Sequence, residues 1–571
     1  MKWEIKNTDS NNAAVLKLKK ELNIPDFLAK IFINRGIDTS EKAEEVFSID
    51  EVKLNSPWLF EDMKNAVDAV KDSIRNNERI TIYGDYDVDG VTSITVLYTF
   101  FRDFLKYENV SYYVPNRHEE GYGLNREALG SIIAGGTKLI ITVDCGITSK
   151  NDVDYCVSRG VKVIVTDHHN PDKANIPESA CAIINPKYSD AYPDKDLSGV
   201  GTAYKLLCAL AEANNVQLKD DFLDFVALGT IADIVPMSRE NRIIVRRGLK
   251  KIETTSNEGL NALKDAAGLK KGAQVTAYHV GFVIGPRINA AGRIEHANKA
   301  VELFVSGDLA AIEDIAMELN AVNEERKKLM KKMEEEAVSK LEGAFDPESQ
   351  YVIVLYDGSW NTGIVGLAAS KIVAKFNRPA FILTDDSDGL AHGSARSLPA
   401  VNIYEALKNV EEHLVRYGGH RLAAGVSLKK EKIHDFREAL NAYMKNNYSS
   451  GDFVPVLNID AVLAETVNIK DIRIMEKLEP WGEGNPRPLL VARDVQVADV
   501  KLLKNSTLKF YGKHMGKTYN FILFGRTDSH ENEIKKGEML DVAFYPSVNT
   551  WNDEESVSLE VKDVKLSRAV I

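Results

Sequence analysis

Residues 79–90 read RITIYGDYDVDG, a β-branched run that ends at Gly84 and meets three aspartates at alternate positions, Asp85, Asp87 and Asp89, before Gly90. A short apolar run closed by turn residues is the signature of a strand buried on both faces. Residues 91–105, VTSITVLYTFFRDFL, continue it with a helical stretch. Similar strands recur at VSYYVPN (110–116), KLIITVD (138–144), VKVIVTD (161–167) and CAIINP (181–186), with helical stretches such as KNDVDYCVSRG (150–160) between most of them. Buried strands alternating with helices indicate a mostly parallel α/β sheet.

Outward from this lobe the pattern changes. Residues 1–50 are mixed and helical, with NIPDFLAKIFINRG (23–36) reading as an amphipathic helix ended by Gly36. Beyond a mainly helical stretch to about residue 300, apolar positions from Leu309 to Leu341 keep a helical spacing with Glu and Lys on the other faces. A helix of that length spans about 45 Å and can join two lobes. A second α/β segment begins at YVIVLY (351–356), and the last 120 or so residues hold five or six runs that read as short strands, which suits a small barrel. The expected division is 1–50, an N-terminal helical segment; 51–240, the first lobe; 241–345, helices and the connecting helix; 346–448, the second lobe; and 449–571, the barrel.

The chain has 571 residues, 44% hydrophobic and 27% charged, as in ordinary water-soluble proteins. It has no apolar run of about 18 residues and no secretory leader at its N-terminus, so no membrane association is expected. Cys145, Cys156, Cys181 and Cys208 form no CxxC pair and read as reduced core thiols, which suits a cytoplasmic protein. The net charge of −12 weighs against an overall basic nucleic-acid binder, but carboxylates clustered to hold metals leave a basic groove elsewhere unaffected.

Three strands of the first lobe end in acidic residues: RITIYG in Asp85, Asp87 and Asp89, LIITV in Asp144, and VIVT in Asp167-His168-His169. The carboxyl ends of parallel strands form the crevice where ligands bind. A further carboxylate, Asp233, interrupts the apolar run FVALGTIADIVP (225–236). Singly, an aspartate after a strand is a turn residue or helix cap. So many at one edge repel one another unless cations neutralise them. Oxygen ligands with imidazoles suit Mn²⁺ or Mg²⁺. An EF-hand is excluded, because its twelfth position is Val96 and a strand precedes the loop. Two divalent cations can activate a water, clamp a phosphate and stabilise the leaving oxygen, which is the chemistry of phosphoester hydrolysis. No GxxxxGK[ST] loop and no GxSxG elbow is present.

At GDYDVDG (84–90), TVDCG (142–146) and TDHH (166–169) the chain resembles the DHH phosphoesterase superfamily. Farther on, GPRINAAGR (285–293), GSAR (393–396) and GGHRLAAG (418–425) resemble its branch of single-strand DNA exonucleases. The resemblance runs from about residue 50 to the C-terminus. It implies two divalent cations, Mn²⁺ or Mg²⁺, held by Asp87, Asp89, Asp144, His168 and Asp233. Asp85, of the same motif, is a ligand or support, His169 faces the substrate phosphate or the attacking water, and Asp167 supports the site. It also implies a second lobe of the DHHA1 type that closes over the metals, with substrate roles for Ser394, Arg396 and His420 and, from the intervening segment, Arg287 and Asn289. Planar guanidinium forks suit phosphate oxygens, and Gly418-Gly419 and Gly425 let backbone approach an anion. Arg117, in VPNRHEEGYGL (114–124), is a further candidate phosphate contact. Two positions depart from the pattern: Tyr83 stands where some superfamily members use a histidine, and Asn361 where many relatives have one.

From Lys501 to Tyr519 the chain reads KLLKNSTLKFYGKHMGKTY, five lysines and one histidine with no acid. Lys504, Lys509, Lys513 and Lys517 with Phe510 and Tyr511 are candidate DNA contacts of an OB-fold, lysines tracking backbone and aromatics stacking bases. The loop LEPWGEGNPRP (478–488) is expected to expose Trp481 and Arg487. The resemblance implies 5′-to-3′ hydrolysis of single-stranded DNA to mononucleotides in repair and recombination, by a monomer, with a helicase and a single-strand-binding protein as partners. Two alternatives are a small-substrate DHH enzyme, acting on nanoRNA, a cyclic dinucleotide or pyrophosphate, and a non-catalytic binding protein on the same scaffold. The retained carboxylates weigh against the second, and the barrel segment against the first.

Overall fold

A computed structural model describes the chain except residues 7–11, 118–119, 271, 295–296, 387, 504–506, 526–533, 552–553 and 568–571. In the first lobe, β1 (Arg79–Gly84), β2 (Val110–Tyr113), β3 (Thr137–Val143), β4 (Lys162–Thr166) and β5 (Ala182–Ile184) form one sheet in the order β2-β1-β3-β4-β5. Every pairing in it is parallel. Both faces are covered, which is why these strands read as unbroken apolar runs. Ile80, Ile82, Leu139, Ile141 and Ile164 face the main core. That side carries α1 (Val88–Thr99), α2 (Gly199–Ala213) and α3 (Leu223–Ala232). Ile140, Val163 and Val165 face a smaller cluster on the other side.

A helical stretch beginning at Ala277 passes through a π-helical turn, Val280–Ile284, into α4 (Gly285–Ile294). The connecting helix α5 runs over Leu309–Leu341, as the spacing requires. Ile312, Ile315 and Leu319 belong to the first lobe's core, and Met330, Met333, Ala337 and Leu341 to a core under the second lobe. One helix is therefore buried at both ends by different lobes.

The second lobe is a mixed sheet of β6 (Ile353–Tyr356), β7 (Ala380–Asp385), β8 (Ala391–Arg396), β9 (Arg416–His420) and β10 (Ala423–Leu428), in the order β9-β10-β8-β7-β6. Only β6 and β7 run parallel. The last segment holds β11 (Leu490–Leu503), β12 (Thr507–His514), β13 (Lys517–Phe524), β14 (Met539–Trp551) and β15 (Glu554–Leu566), and β14 pairs back onto β11 to close a barrel. Three of these strands have 13 or 14 residues rather than the short lengths expected. Register shifts at Val497/Asp499 and Ala543/Phe544 bend them so that one strand follows the curve.

The N-terminal helices, Ala13–Leu22, Asp26–Asn34 and Ser40–Phe47, do not stand apart. Phe27, Leu28, Ile31 and Phe32 share one core with Leu490, Phe521 and Phe544 of the barrel. Lys2–Ile5 pairs in parallel with Val456–Ile459, and Trp3 Nε1 donates to Asp563 at 2.8 Å.

The barrel corrects part of the expected DNA face. Phe510 is fully buried and stacks on Phe521 with centroids 4.8 Å apart. Alternation along β12 turns Leu508 and Phe510 inward, whereas Lys509, Tyr511 and Lys513 point outward, with Lys509 Nζ 5.3 Å from the Tyr511 ring. Lys517 is exposed and donates to the Val467 carbonyl, and Lys504 lies outside the described residues. Neither Trp481 nor Arg487 is free. Trp481 packs against the barrel core, and Arg487 pairs with Glu560 at 3.0 Å over the Tyr545 ring. The loop between them rests on the first lobe, where Met237 N donates to the Glu483 carbonyl at 2.7 Å. All four cysteines are free thiols, and among the described residues no helix is long and apolar enough to cross a membrane.

Candidate active site

Parallel strands end on the same side, so β1, β3 and β4 deliver their acidic residues to one edge. Asp87 caps α1, its Oδ1 accepting from Asp89 N at 2.9 Å and Gly90 N at 3.1 Å. Asp89 lies buried in the first turn of α1, where its oxygens accept from Gly199 N at 2.6 Å and Val200 N at 2.8 Å at the start of α2. Asp144 sits at φ +57, a left-handed turn that aspartate tolerates. Asp233 follows the last residue of α3.

Three overlapping donor groups result: oxygens of Asp85, Asp87 and Asp144 lie within 4.8 Å of one another, and so do donors of Asp89, His168 and Asp233 and those of Asp144, His168 and His169. His168 Nε2 joins the groups, 3.2 Å from Asp144 Oδ1 and 3.4 Å from Asp233 Oδ2. Asp85 Oδ1, Asp144 Oδ1 and His168 Nε2 are buried without any hydrogen-bond partner. Orphaned buried groups are costly, and three such donors in one cluster fit a cation site. Hard oxygens with one or two imidazoles fit Mn²⁺ or Mg²⁺.

Electrostatics agree. Burial, then repulsion from neighbouring aspartates, holds Asp85 and Asp144 well above the usual carboxylate range. The same two causes push Asp89 to about 7 and Asp233 to about 9. Burial and the neighbouring His169 lower His168 to about 3, leaving a neutral imidazole whose ring is fixed by a hydrogen bond to the Leu197 carbonyl. Asp167 is a positioning group: Oδ1 accepts from His168 N, His169 N and His169 Nδ1, and Oδ2 from Ile147 N. Burial works against ionised Asp167, but the His169 hydrogen bond prevails and keeps its pKa low. Burial likewise opposes a charged His169, and the Asp167 bond outweighs it, so His169 is raised.

Asp85, Asp87, Asp144, His169 and Asp233 line a cleft of about 330 Å³ with Arg117, Tyr122, Asn289 and Arg293. Asn289 Oδ1 accepts from Val88 N at 3.2 Å, tying α4 to the start of α1. Arg117 lies over the Tyr86 ring at 5.0 Å. Arg293 donates to the Gly363 carbonyl of the second lobe at 3.2 Å. Burial, then Arg117 and Arg326, lower its pKa to about 10. Burial and Arg117 lower Arg396 too, so three guanidinium groups converge where a phosphate would neutralise them.

Arg287 does not line the cleft. It is buried in the helix packing, with Nε on Asn320 Oδ1 at 3.0 Å and Nη1 on the Val283 carbonyl. Arg293, six residues on and on another side of the helix, takes the place expected of it. Ser394, His420, Gly419 and Gly425 are not cleft-lining among the described residues but lie on the second lobe's sheet with Arg396. Register puts Arg396, Ala423 and His420 in one row and Ser394, Gly425 and Gly418 in the next. At Gly419, φ +146, a Cβ would lie 2.4 Å from the Ala423 carbonyl oxygen. Asn361, where many relatives have histidine, caps its own turn by accepting from Gly363 N at 2.8 Å.

Four functional residues were not singled out in the sequence. Arg293 closes the GPRINAAGR motif, and its spacing of four from Asn289 was the available signal. Tyr122, whose hydroxyl lies 3.0 Å from His169 Nδ1, had none beyond its glycine-flanked loop. Gly199 and Gly229 had none: a Cβ at Gly199 would lie 2.5 Å from Asp144 Oδ1, and one at Gly229 2.8 Å from Asp89 Oδ1.

Residues 79–230 match the DHH family, N-terminal domain; residues 349–446 match the DHHA1 domain; and residues 459–563 match the RecJ OB domain. The single-stranded-DNA-specific exonuclease RecJ of Bacillus subtilis (strain 168) is 37% identical over 572 residues, spanning 99% of this chain and 71% of the relative. This chain belongs to the RecJ family. RecJ of Escherichia coli (strain K12) is 33% identical over 492 residues, covering 82% of this chain and 83% of its own length. The crystal structure of RecJ in complex with Mn²⁺ from Thermus thermophilus superimposes with a TM-score of 0.83 at 28% identity, covering 100% of this chain and 80% of that one. The Mg²⁺ complex gives 0.77 at 27% identity, covering 100% and 79%.

Proposed function

We propose that the chain is a single-strand-DNA-specific exonuclease that hydrolyses phosphodiester bonds from the 5′ end, releases mononucleotides, and serves DNA repair and recombination. The observation that carries this reading is the juxtaposition of two donor groups, Asp85/Asp87/Asp144 and Asp89/His168/Asp233, with a cleft lined by Arg117 and Arg293 and with Arg396 close enough to feel Arg117. The RecJ relatives, named for single-strand DNA, supply the substrate class, and the barrel with Lys509, Tyr511 and Lys513 outward supports it. A cytoplasmic monomer acting with a helicase and a single-strand-binding protein is part of the same proposal.

Asp85, Asp87 and Asp144 would hold one divalent cation and Asp89, His168 and Asp233 a second, Mn²⁺ or Mg²⁺. Bound there, the pair supplies Lewis-acid charge at the scissile phosphate and lowers the cost of ionising the attacking water. The chain's own residues do the rest. Arg293, Arg117 and Arg396 hold the phosphate oxygens in line for attack. Asn289 fixes the helix that carries Arg293 against α1. Nδ1 of His169, given to Asp167, leaves Nε2 for the cleft, where it can hand a proton to the departing oxygen. Ser394 and His420, on the facing sheet, would steady the terminal nucleotide.

The test is to incubate 5′- and 3′-labelled single strands, duplexes and dinucleotides with Mn²⁺ or Mg²⁺ and resolve the products. Mononucleotides released first from the 5′ label of single strands are expected. Turnover confined to dinucleotides would replace the proposal with a small-substrate phosphodiesterase.

A further inference from the structure

The three guanidinium groups at the cleft are not held alike. Arg293 donates to the Gly363 carbonyl at 3.2 Å, and Arg396 Nη1 donates to the Ala395 carbonyl at 2.9 Å. Arg117 makes no hydrogen bond and no ion pair among the described residues. Its one directional contact there is the Tyr86 ring, whose centroid lies 5.0 Å from Cζ. Asp85 attracts it through space, and that attraction weakens wherever the carboxylate holds a cation.

Tyr86 stands in the chain between Asp85 and Asp87, two carboxylates of one donor group, and lines the cleft with them. Its carbonyl serves the other side. A Cβ at Gly292 would lie 2.8 Å from the Tyr86 carbonyl oxygen, so α4 rests on this peptide one residue before Arg293. One residue thus carries a guanidinium on its ring and seats the helix of another on its backbone. Burial, then Asp85, push the phenol pKa up to about 12, so the ring stays neutral and keeps its negative face. After burial, repulsion from Arg117 is the main cause that lowers the pKa of Arg293 and of Arg396. Like charges so placed drive the least tethered of them toward solvent. A planar guanidinium over an aromatic face gains from the ring quadrupole and from stacking, which opposes that drift.

We propose that Tyr86 is a positioning residue whose ring holds Arg117 over the cleft against Arg293 and Arg396, so that the substrate phosphate meets three guanidinium groups rather than two. The inference rests on the function proposed above, in which Arg117 contacts that phosphate. It assigns the work to the ring and none to the hydroxyl. Arg293 and Arg396 keep their orientation through backbone carbonyls, whereas the place of Arg117 depends on one neighbouring side chain.

The test compares Tyr86→Leu and Tyr86→Phe in the full-length protein, each with Arg117 intact and with Arg117→Ala. Binding of a labelled single strand of about 12 nucleotides, long enough to fill the site, is read by anisotropy in chelator, and its hydrolysis separately with Mn²⁺. Tyr86→Leu should weaken binding and lower kcat/KM by about three- to thirtyfold. It should also reduce the slope of log K against log salt by about 0.7, the mark of one lost phosphate contact. Tyr86→Phe, which keeps a ring, should recover most of both losses. With Arg117→Ala in place, Tyr86→Leu should add nothing, since the ring then has no charge to hold. Mn²⁺ affinity in calorimetry should be that of wild type, which separates the ring from its neighbours Asp85 and Asp87. Tyr86→Met, equally without a ring, serves the same comparisons should the leucine variant not fold. Equal losses with and without Arg117, an unchanged salt slope, Tyr86→Phe as damaging as Tyr86→Leu, or weakened Mn²⁺ binding would each overturn the proposal. Wild type that shows the whole binding pattern but leaves the strand uncut would refute the exonuclease reading alone. Cutting with additive losses would refute only the role of Tyr86.

Discussion

Asp144 ends β3 in a left-handed turn, with one carboxylate oxygen unbonded and His168 Nε2 3.2 Å away. Asp144→Ala should lower strand hydrolysis by at least about 10³-fold while leaving strand binding measurable; retained turnover would remove it from the metal set. The crowding of carboxylates also sets a pH signature. Groups whose pKa rises on folding stabilise the fold at low pH and lose that contribution as pH passes through the folded value. With Asp89 at about 7 and Asp233 at about 9, protein kept in chelator should lose Tm steadily from about pH 5 to pH 9. Saturating Mn²⁺ should flatten that slope, and equal slopes with and without metal would show that no ion enters the cluster. Individual residues were legible only where local chemistry fixes their direction. Aspartates at the ends of parallel strands have one side to go to, so Asp85, Asp87 and Asp144 could be placed from the sequence. Arg287 and Arg293 both fit a phosphate, and only the packing of their helix decides which faces the cleft.

Among elements, α2 begins by pressing Gly199 against Asp144 while the amides of Gly199 and Val200 hold Asp89. Gly199→Ala should therefore displace the Asp144 carboxylate and weaken Mn²⁺ binding about 10- to 100-fold in calorimetry, with circular dichroism unchanged. Wild-type affinity would mean that Asp144 yields without consequence. On β12, replacing Lys509 and Lys513 by Ala should weaken binding of long strands and reduce the slope of log K against log salt by about 0.7 for each phosphate no longer neutralised. An unaltered slope would take the barrel face away from DNA. Strands and the connecting helix could be read in advance because periods of 2 and 3.6 are local. Which half of an alternating strand faces inward is not local: Phe510 and Tyr511 are equally plausible until the barrel closes. The glycines at 199 and 229 are silent in sequence because the carboxylates they clear belong to α1 and the end of β3.

For the whole molecule, the N-terminal helices and the barrel share one core despite their separation in the chain. Phe32→Ala should cost about 3–5 kcal/mol, and the loss should appear as faster amide exchange in β11 and β14 before any change in the first lobe's sheet. Exchange rising in β1 and β3 instead would deny the shared core. Nothing in the sequence pairs Asp26–Asn34 with residues hundreds of positions away, since an amphipathic face states that it will be covered but not by what. The pairing has a further consequence during synthesis. A chain growing from its amino end at about 5–20 residues per second leaves the apolar side of Asp26–Asn34 without its mate for roughly 25–100 seconds, until Leu490 and Phe544 emerge. Throughout that interval the nascent protein carries a hydrophobic helix without its mate, so its yield should depend on how well chaperones shelter that helix while the catalytic lobes fold behind it.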